Sequence, residues 1–295
     1  MNALAPPSAP FRGKIRTLFA GAAAAFLLSG LNPANTQETV GVGDSFKDCA
    51  TCPEMVVVPA GSFVMGRDGG EPEEAPATEV QVTAPFAISR TEITIGQYEA
   101  CVAAGACLDR WDHQRGWFDE RDDRESFPIV SVSYDRFQLY IAWLIGKTGR
   151  HYRMPSEAEW EWAASGGRDA ARWWGDGPVP SGQVNCLNCP GEDWRGLAPT
   201  AQFPANPFGL HDMLGNLSEY VGDCWRDSHE GRPATAAYYG PCDTAFRTLR
   251  GGKWSSGEKW INRYTRRRYP GDASSNDFGF RLVTDDLRPA DRSAD

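Results

Sequence analysis

The stretch from Asn206 to Trp225 reads NPFGLHDMLGNLSEYVGDCW. Asp212 and Glu219 bracket Gly215 and Asn216, a turn whose free carbonyls are expected to point the same way as the two carboxylates. Hard oxygen donors of that kind suit Ca²⁺. The metal-free alternative is a capping Asp and a buried Glu held by backbone donors. The choice between them depends on what surrounds this segment in the chain.

The chain has 295 residues, enough for one large domain or two small ones with a real core. Its formal charge of −9 argues against non-specific nucleic-acid binding. With 11 Trp and 31 Gly, the composition suits a loop-rich fold whose aromatic side chains brace irregular backbone. Arg12, Lys14 and Arg16 precede the 14-residue apolar run LFAGAAAAFLLSGL, Leu18 to Leu31. That run is short for a membrane span, so residues 1–36 read as a secretory signal, with cleavage near Asn32 to Gln37. An uncleaved anchor is the alternative and the only membrane contact expected. Either way the domain is expected outside the cytoplasm, periplasmic or secreted. Losing those three basic residues takes the charge from −9 to −12.

Eight Cys fit an oxidising compartment. They fall as Cys49/Cys52, Cys101/Cys107, Cys186/Cys189 and Cys224/Cys242, and short-range pairing is the simplest arrangement. Two C-x-x-C units could bind zinc instead, but more than 130 residues separate them. A redox C-x-x-C needs a thioredoxin-like βαβ context, which the chain lacks. Structural disulfides are therefore expected.

Residues 37–53 read as a polar linker, 54–285 as the folded domain and 286–295 as a polar tail. MVVVPAGSFVMG (Met55 to Gly66) predicts two short strands around a turn. A helix is expected near Thr94, with Gln97 completing its capping box. The charged loop 109–126 carries Trp111, Trp117 and Phe118 and reads as a solvated loop pinned by its aromatics. Asp135 can cap an amphipathic helix with Phe137, Tyr140, Ile141 and Leu144 on one face and Gly149 as its stop. Ser156 and Glu159 form a capping box for another helix. Beyond Gly166 the chain reads as loops and short strands.

In order, MVVVPAGSFVMG, PIVSVSYD, YRMPSEAEWEWAASGG, NPFGLHDMLGNLSEYVGDCW, LRGGKW and DFGFRLV resemble the formylglycine-generating enzyme, or sulfatase-modifying-factor, family. The resemblance runs from Met55 to Val283. It implies an α+β, C-type-lectin-like fold, loop-rich, with short strands and two main helices. It also implies a calcium site using Asp212 and Glu219 side chains with Gly215 and Leu217 carbonyls. A second would fall at Asn185 and Cys186 with Glu192 and Trp194.

Oxidases of this family hold copper between two thiolates, suited to soft Cu(I). The resemblance places those thiols at Ser256 and Ile261, the O₂-proximal Ser at Lys253 and the neighbouring Trp at Ser218. All four positions depart, so copper is not expected and no catalytic residue is assigned. His113, His151, His211 and His229 show no metal spacing either. The ligand-binding candidates are Lys253, Trp254, Ser256, Glu258, Trp260, Arg263 and Arg266, with Tyr264, Arg267, Arg268 and Asp277 nearby. Cationic forks beside aromatic faces recognise carboxylates, phosphates or planar rings. Arg250 and Arg281 read as structural, Arg281 tying the last strand to an internal carboxylate.

Relatives without the thiols include maturation factors for exported siderophores, companions of periplasmic respiratory enzymes and diversified lectin-like binders. The expectation is an exported binding, accessory or maturation factor for a protein or small molecule. The alternative is an oxidoreductase-type enzyme modifying a protein or natural product.

Overall fold

The computed structural model describes residues 39–109, 121–191 and 196–290. The signal segment, Trp111, His113, Trp117, Phe118, Glu192 and Trp194 lie outside the described residues.

Two four-stranded sheets and one hairpin carry the fold. The first sheet orders β1 (Ser45–Phe46), β2 (Met55–Val58), β5 (Phe86–Ser89) and β10 (Val283–Thr284), all antiparallel. Every residue of β2, MVVV, is buried, as a strand packed on both faces requires. Strands β3 (Gly61–Met65) and β4 (Thr78–Val82) form the separate hairpin. The second four-stranded sheet orders β8 (Arg266–Pro270), β7 (Phe246–Arg250), β6 (Ser218–Cys224) and β9 (Phe278–Phe280), with β6 and β9 parallel.

Three helices stand among the described residues: α1 (Ile95–Ala103), α2 (Tyr134–Thr148) and α3 (Glu157–Ser165). Thr94 and Gln97 form the expected capping box on α1, and Ser156 and Glu159 form that on α3. Helix α2 is capped by Ser133, whose hydroxyl accepts from the Arg136 N–H; Asp135 lies inside the first turn. The expected Asp135 cap is thus displaced by two residues, since a hydroxyl in extended backbone satisfies the first amides more directly. Gly149 ends α2 at φ 66°. Phe137, Tyr140, Ile141 and Leu144 are all buried, and Phe137 stacks on Phe280 at 3.9 Å.

The segment read as a linker enters the fold. Ser45 and Phe46 pair with β2, and Asp48 is buried against Arg150 at 2.6 Å. The C-terminal segment is likewise engaged, because Val40 donates to the Leu287 carbonyl and Arg150 to that of Arg288. All four short-range disulfides form: Cys49–Cys52, Cys101–Cys107, Cys186–Cys189 and Cys224–Cys242.

The cap assignment makes a prediction. Ser133→Ala is expected to lower stability by about 1 kcal/mol in urea unfolding, with Asp135→Ala costing clearly less. Equal losses would contradict the Ser133 cap.

Candidate functional site

Helix α3 carries Glu157, Trp160 and Glu161, and all nine of its residues are buried. The two carboxylates are four positions apart and share one face. Glu161 Oε1 accepts from Arg263 Nη1 at 3.0 Å and from the Gly66 N–H at 2.9 Å, while Oε2 accepts from Arg250. Glu157 Oε1 accepts from Arg266 Nε at 2.5 Å, and its Oε2 from Arg232 Nη2 at 2.5 Å. Burial alone would push the Glu157 carboxyl up, but Arg266, Arg232 and Arg250 together hold it well below the usual carboxylate range. Arg250 also donates to the Tyr264 and Thr265 carbonyls, each at 3.0 Å, and lies over the Trp160 ring.

This arrangement corrects the ligand-binding expectation for Arg263 and Arg266. They are 1% and 0% exposed, so they hold the core and present nothing to a ligand. Glu258 is structural at its tip too, accepting from the Val179 N–H at 2.9 Å. Trp260 is half-buried, with the Arg267 guanidinium 4.0 Å and the Lys259 ammonium 4.3 Å from its ring centre. Lys253 pairs with Asp277 and lies 5.8 Å from the Phe278 ring. Trp254 packs against the core and its N–H donates to the Asn216 carbonyl at 2.8 Å.

At the positions where the resemblance places thiols, Ser256 Oγ accepts from the Lys253 N–H at 3.3 Å. Ile261 is fully buried, and its carbonyl accepts from Arg172 Nε at 2.6 Å. Ser218 Oγ donates to the Gly252 carbonyl at 3.1 Å. No cysteine is free.

Three residues of the 212–219 turn adopt left-handed backbone. Asp212, Gly215 and Asn216 have φ of 57°, 80° and 55°. Gly215 is required there, because a Cβ would lie 2.5 Å from the Asn185 carbonyl oxygen. Asp212 Oδ2 accepts from the Ala201 N–H at 2.7 Å, and burial pushes its carboxyl up to about 7. Glu219 is clamped by Arg281 through both oxygens, at 2.6 and 2.7 Å, and also accepts from Trp160 Nε1 at 2.7 Å. Arg281 thus ties its strand to an internal carboxylate, as expected.

Sequence reasoning missed Glu92. Its Oε1 accepts from Asn216 Nδ2 at 3.1 Å, while its Oε2 is buried without a partner. Burial first, and the nearby Asp212 second, push its carboxyl well up. Asp212, Glu219 and Glu92 therefore share one cation, Arg281, in a buried setting. Among the described residues no three Asp, Glu, His or Cys side chains converge to hold a metal by themselves. An ion here would rely on Asp212 with the Gly215 and Leu217 carbonyls, with Glu219 supplying charge from within its clamp. Hard oxygen donors and surplus negative charge fit Ca²⁺. At the second position, Asn185 Oδ1 is likewise buried without a partner, while its Nδ2 donates to Gly196 and Asn216.

A family model described as the sulfatase-modifying factor enzyme 1-like domain matches residues 42–286. The chain belongs to this family. It is 30% identical to the formylglycine-generating enzyme of Mycobacterium tuberculosis (strain ATCC 25618 / H37Rv), over 79% of this chain and 98% of that one. The solved structure of PvdO from Pseudomonas aeruginosa superposes with a TM-score of 0.72 at 33% identity, covering 83% of this chain and 99% of that one. Treponema denticola variable protein 1 shares the fold at 19% identity and a TM-score of 0.68, covering 83% of this chain and 99% of that one.

His229 borders the buried ionic cluster. Its Nδ1 accepts from Arg232 Nε at 3.0 Å, and burial pushes its pKa down to about 3. The unfolded chain takes up this proton near pH 6.5, so stability is full above that pH and falls as pH drops toward 3. Urea unfolding of His229→Gln is expected to show a shallower loss of stability than the parent between pH 7 and 5. Matching slopes would contradict a buried neutral His229.

Proposed function

We propose that this protein is an exported binding or accessory member of its family, acting on a protein or small-molecule partner without thiolate copper chemistry. The observation that carries the reading is at the two positions where the oxidases keep thiols. Ser256 and the buried Ile261 stand there, and all eight Cys are in disulfides. A hydroxyl and an aliphatic side chain cannot hold soft Cu(I) as two thiolates do. The identity with formylglycine-generating enzymes therefore supports shared architecture more than shared reaction.

Four disulfides support an oxidising compartment, periplasmic or extracellular. Among the described residues no helix is long and apolar enough to cross a membrane. Around Ser256 the accessible groups are the Lys253–Asp277 pair and the Trp260 ring with its two cations. They suit recognition of a polar or planar group. Calcium at the 212–219 turn would neutralise its carboxylates and so fix the backbone that holds Trp254. That ion would be structural.

Two measurements check this reading. Cu(I) titration and O₂ uptake with a cysteine-containing peptide are expected to show neither stoichiometric copper binding nor aldehyde formation. Turnover with copper bound would overturn the reading. Separately, adding Ca²⁺ to EDTA-treated protein is expected to raise the melting temperature, stabilising by about 2.7 kcal/mol at a hundredfold excess over Kd. Asp212→Asn should blunt the shift. An unchanged melting temperature would remove calcium from the account.

A further inference from the structure

The β3–β4 hairpin has two outer edges, and they are treated differently. On β4, the Gln81 N–H donates to the Ala234 carbonyl, and the Gln81 carbonyl accepts from Ala236. Gln81 stands opposite Ser62, so their backbone groups point away from each other, and those of Ser62 point off the β3 edge. Val64, two residues on, faces the same way, and its carbonyl accepts from Arg263 Nη1 at 2.9 Å. Farther along, the Gly66 N–H is taken by Glu161. The C-terminal end of the β3 edge is thus covered by the buried ionic cluster. On its N-terminal side, no hydrogen bond among the described residues takes the Ser62 N–H, the Ser62 carbonyl or the Val64 N–H.

A groove of about 240 Å³ runs beside this uncovered stretch. Phe63 and Trp162, with ring centres 5.6 Å apart, line one side of it. Val64 is 41% exposed. Glu79 and Asp169 line the groove against a single Arg168, leaving one surplus negative charge. Among the described residues Glu79 carries no ion pair, and Asp169 has only the 3.3 Å contact to Arg263. Unprotected strand edges pair with other chains unless charge or cover prevents it. Here the edge is bare only where an aromatic-lined groove adjoins it.

We infer that the β3 edge at Ser62–Val64 docks a short extended segment of a partner protein, one that alternates apolar and basic side chains. The segment adds as a strand, exchanging backbone hydrogen bonds with Ser62, accepting from the Val64 N–H and donating none to the covered Val64 carbonyl. Its apolar side chains pack on Phe63 and Trp162, and its basic side chains face Glu79 and Asp169. None of the groove's lining residues is one of the groups around Ser256 and Lys253.

The test uses the full chain and a fluorescent, capped Lys-Val-Lys-Val-Lys peptide followed by anisotropy. Saturable binding is expected. Val64→Pro removes an unpaired N–H without touching a hairpin bond, so it should keep the melting temperature and weaken binding about tenfold. N-methylating the peptide backbone at alternate residues should weaken binding similarly, which keeps the test decisive if the variant misfolds. A Glu-Val-Glu-Val-Glu peptide should fail to bind. Absence of saturable binding, or binding that ignores both backbone changes and depends on charge alone, would overturn the inference.

Discussion

Two carboxylates on one face of helix α3, Glu157 and Glu161, organise the rest of the molecule. They draw Arg232, Arg250, Arg263 and Arg266 into the interior, with all six side chains at 0 or 1% exposure. Through these pairs α3 is joined to the loop between β6 and β7, to β7, to β8 and to the loop before β8, and Arg263 extends the link to the Val64 carbonyl of the hairpin. Burying so many ions incurs a desolvation penalty, and losing one partner strands a charge in a medium that cannot solvate it. Most surplus guanidinium donors are met by carbonyls of Val64, Glu73, Ala170, Tyr264 and Thr265, while Arg232 Nη1 and Arg250 Nε have no hydrogen-bond partner among the described residues. Charge pairing thereby replaces regular secondary structure as the means of fixing a loop-rich chain.

The same arrangement decides what the Arg-rich segment can do. Its buried arginines are committed to α3, leaving Lys253, Lys259, Trp260, Arg267 and Arg268 among the accessible cationic and aromatic groups. A second network links this loop to the 212–219 turn. Trp254 donates to Asn216 and Gly215 donates to Gly251, while the Asn216 side chain reaches Glu92 and Asn185. An ion at the turn would therefore act on the loop through backbone contacts and not through any ligand of its own.

Much of the architecture was legible because its signals are local. The capping boxes at Thr94 and Ser156, the apolar face of α2 and the close Cys pairs depend on residues a few positions apart. Arg281 was also readable, because a cation inside an apolar strand needs an internal carboxylate. The run Arg263–Arg268 was not, since its buried arginines, Arg263 and Arg266, meet partners about a hundred positions away while Arg267 and Arg268 stay exposed. Likewise EAEWEWAAS reads as a helix with a polar face, yet every residue is buried, because its glutamates meet arginines that sequence spacing cannot pair. Glu92 gave no signal at all, as its meaning lies in the company of Asp212 and Asn216.

Glu161 and Arg263 form the buried structural pair on which the packing of the Arg-rich segment turns. A double-mutant cycle with Glu161→Gln and Arg263→Met, read by urea unfolding, measures that directly. Each single variant is predicted to lose about 3 kcal/mol or more, and the double variant to lose clearly less than their sum. Simple additivity, or an Arg263→Met variant as stable as the parent, would contradict the account and return Arg263 to the surface as a ligand-binding group.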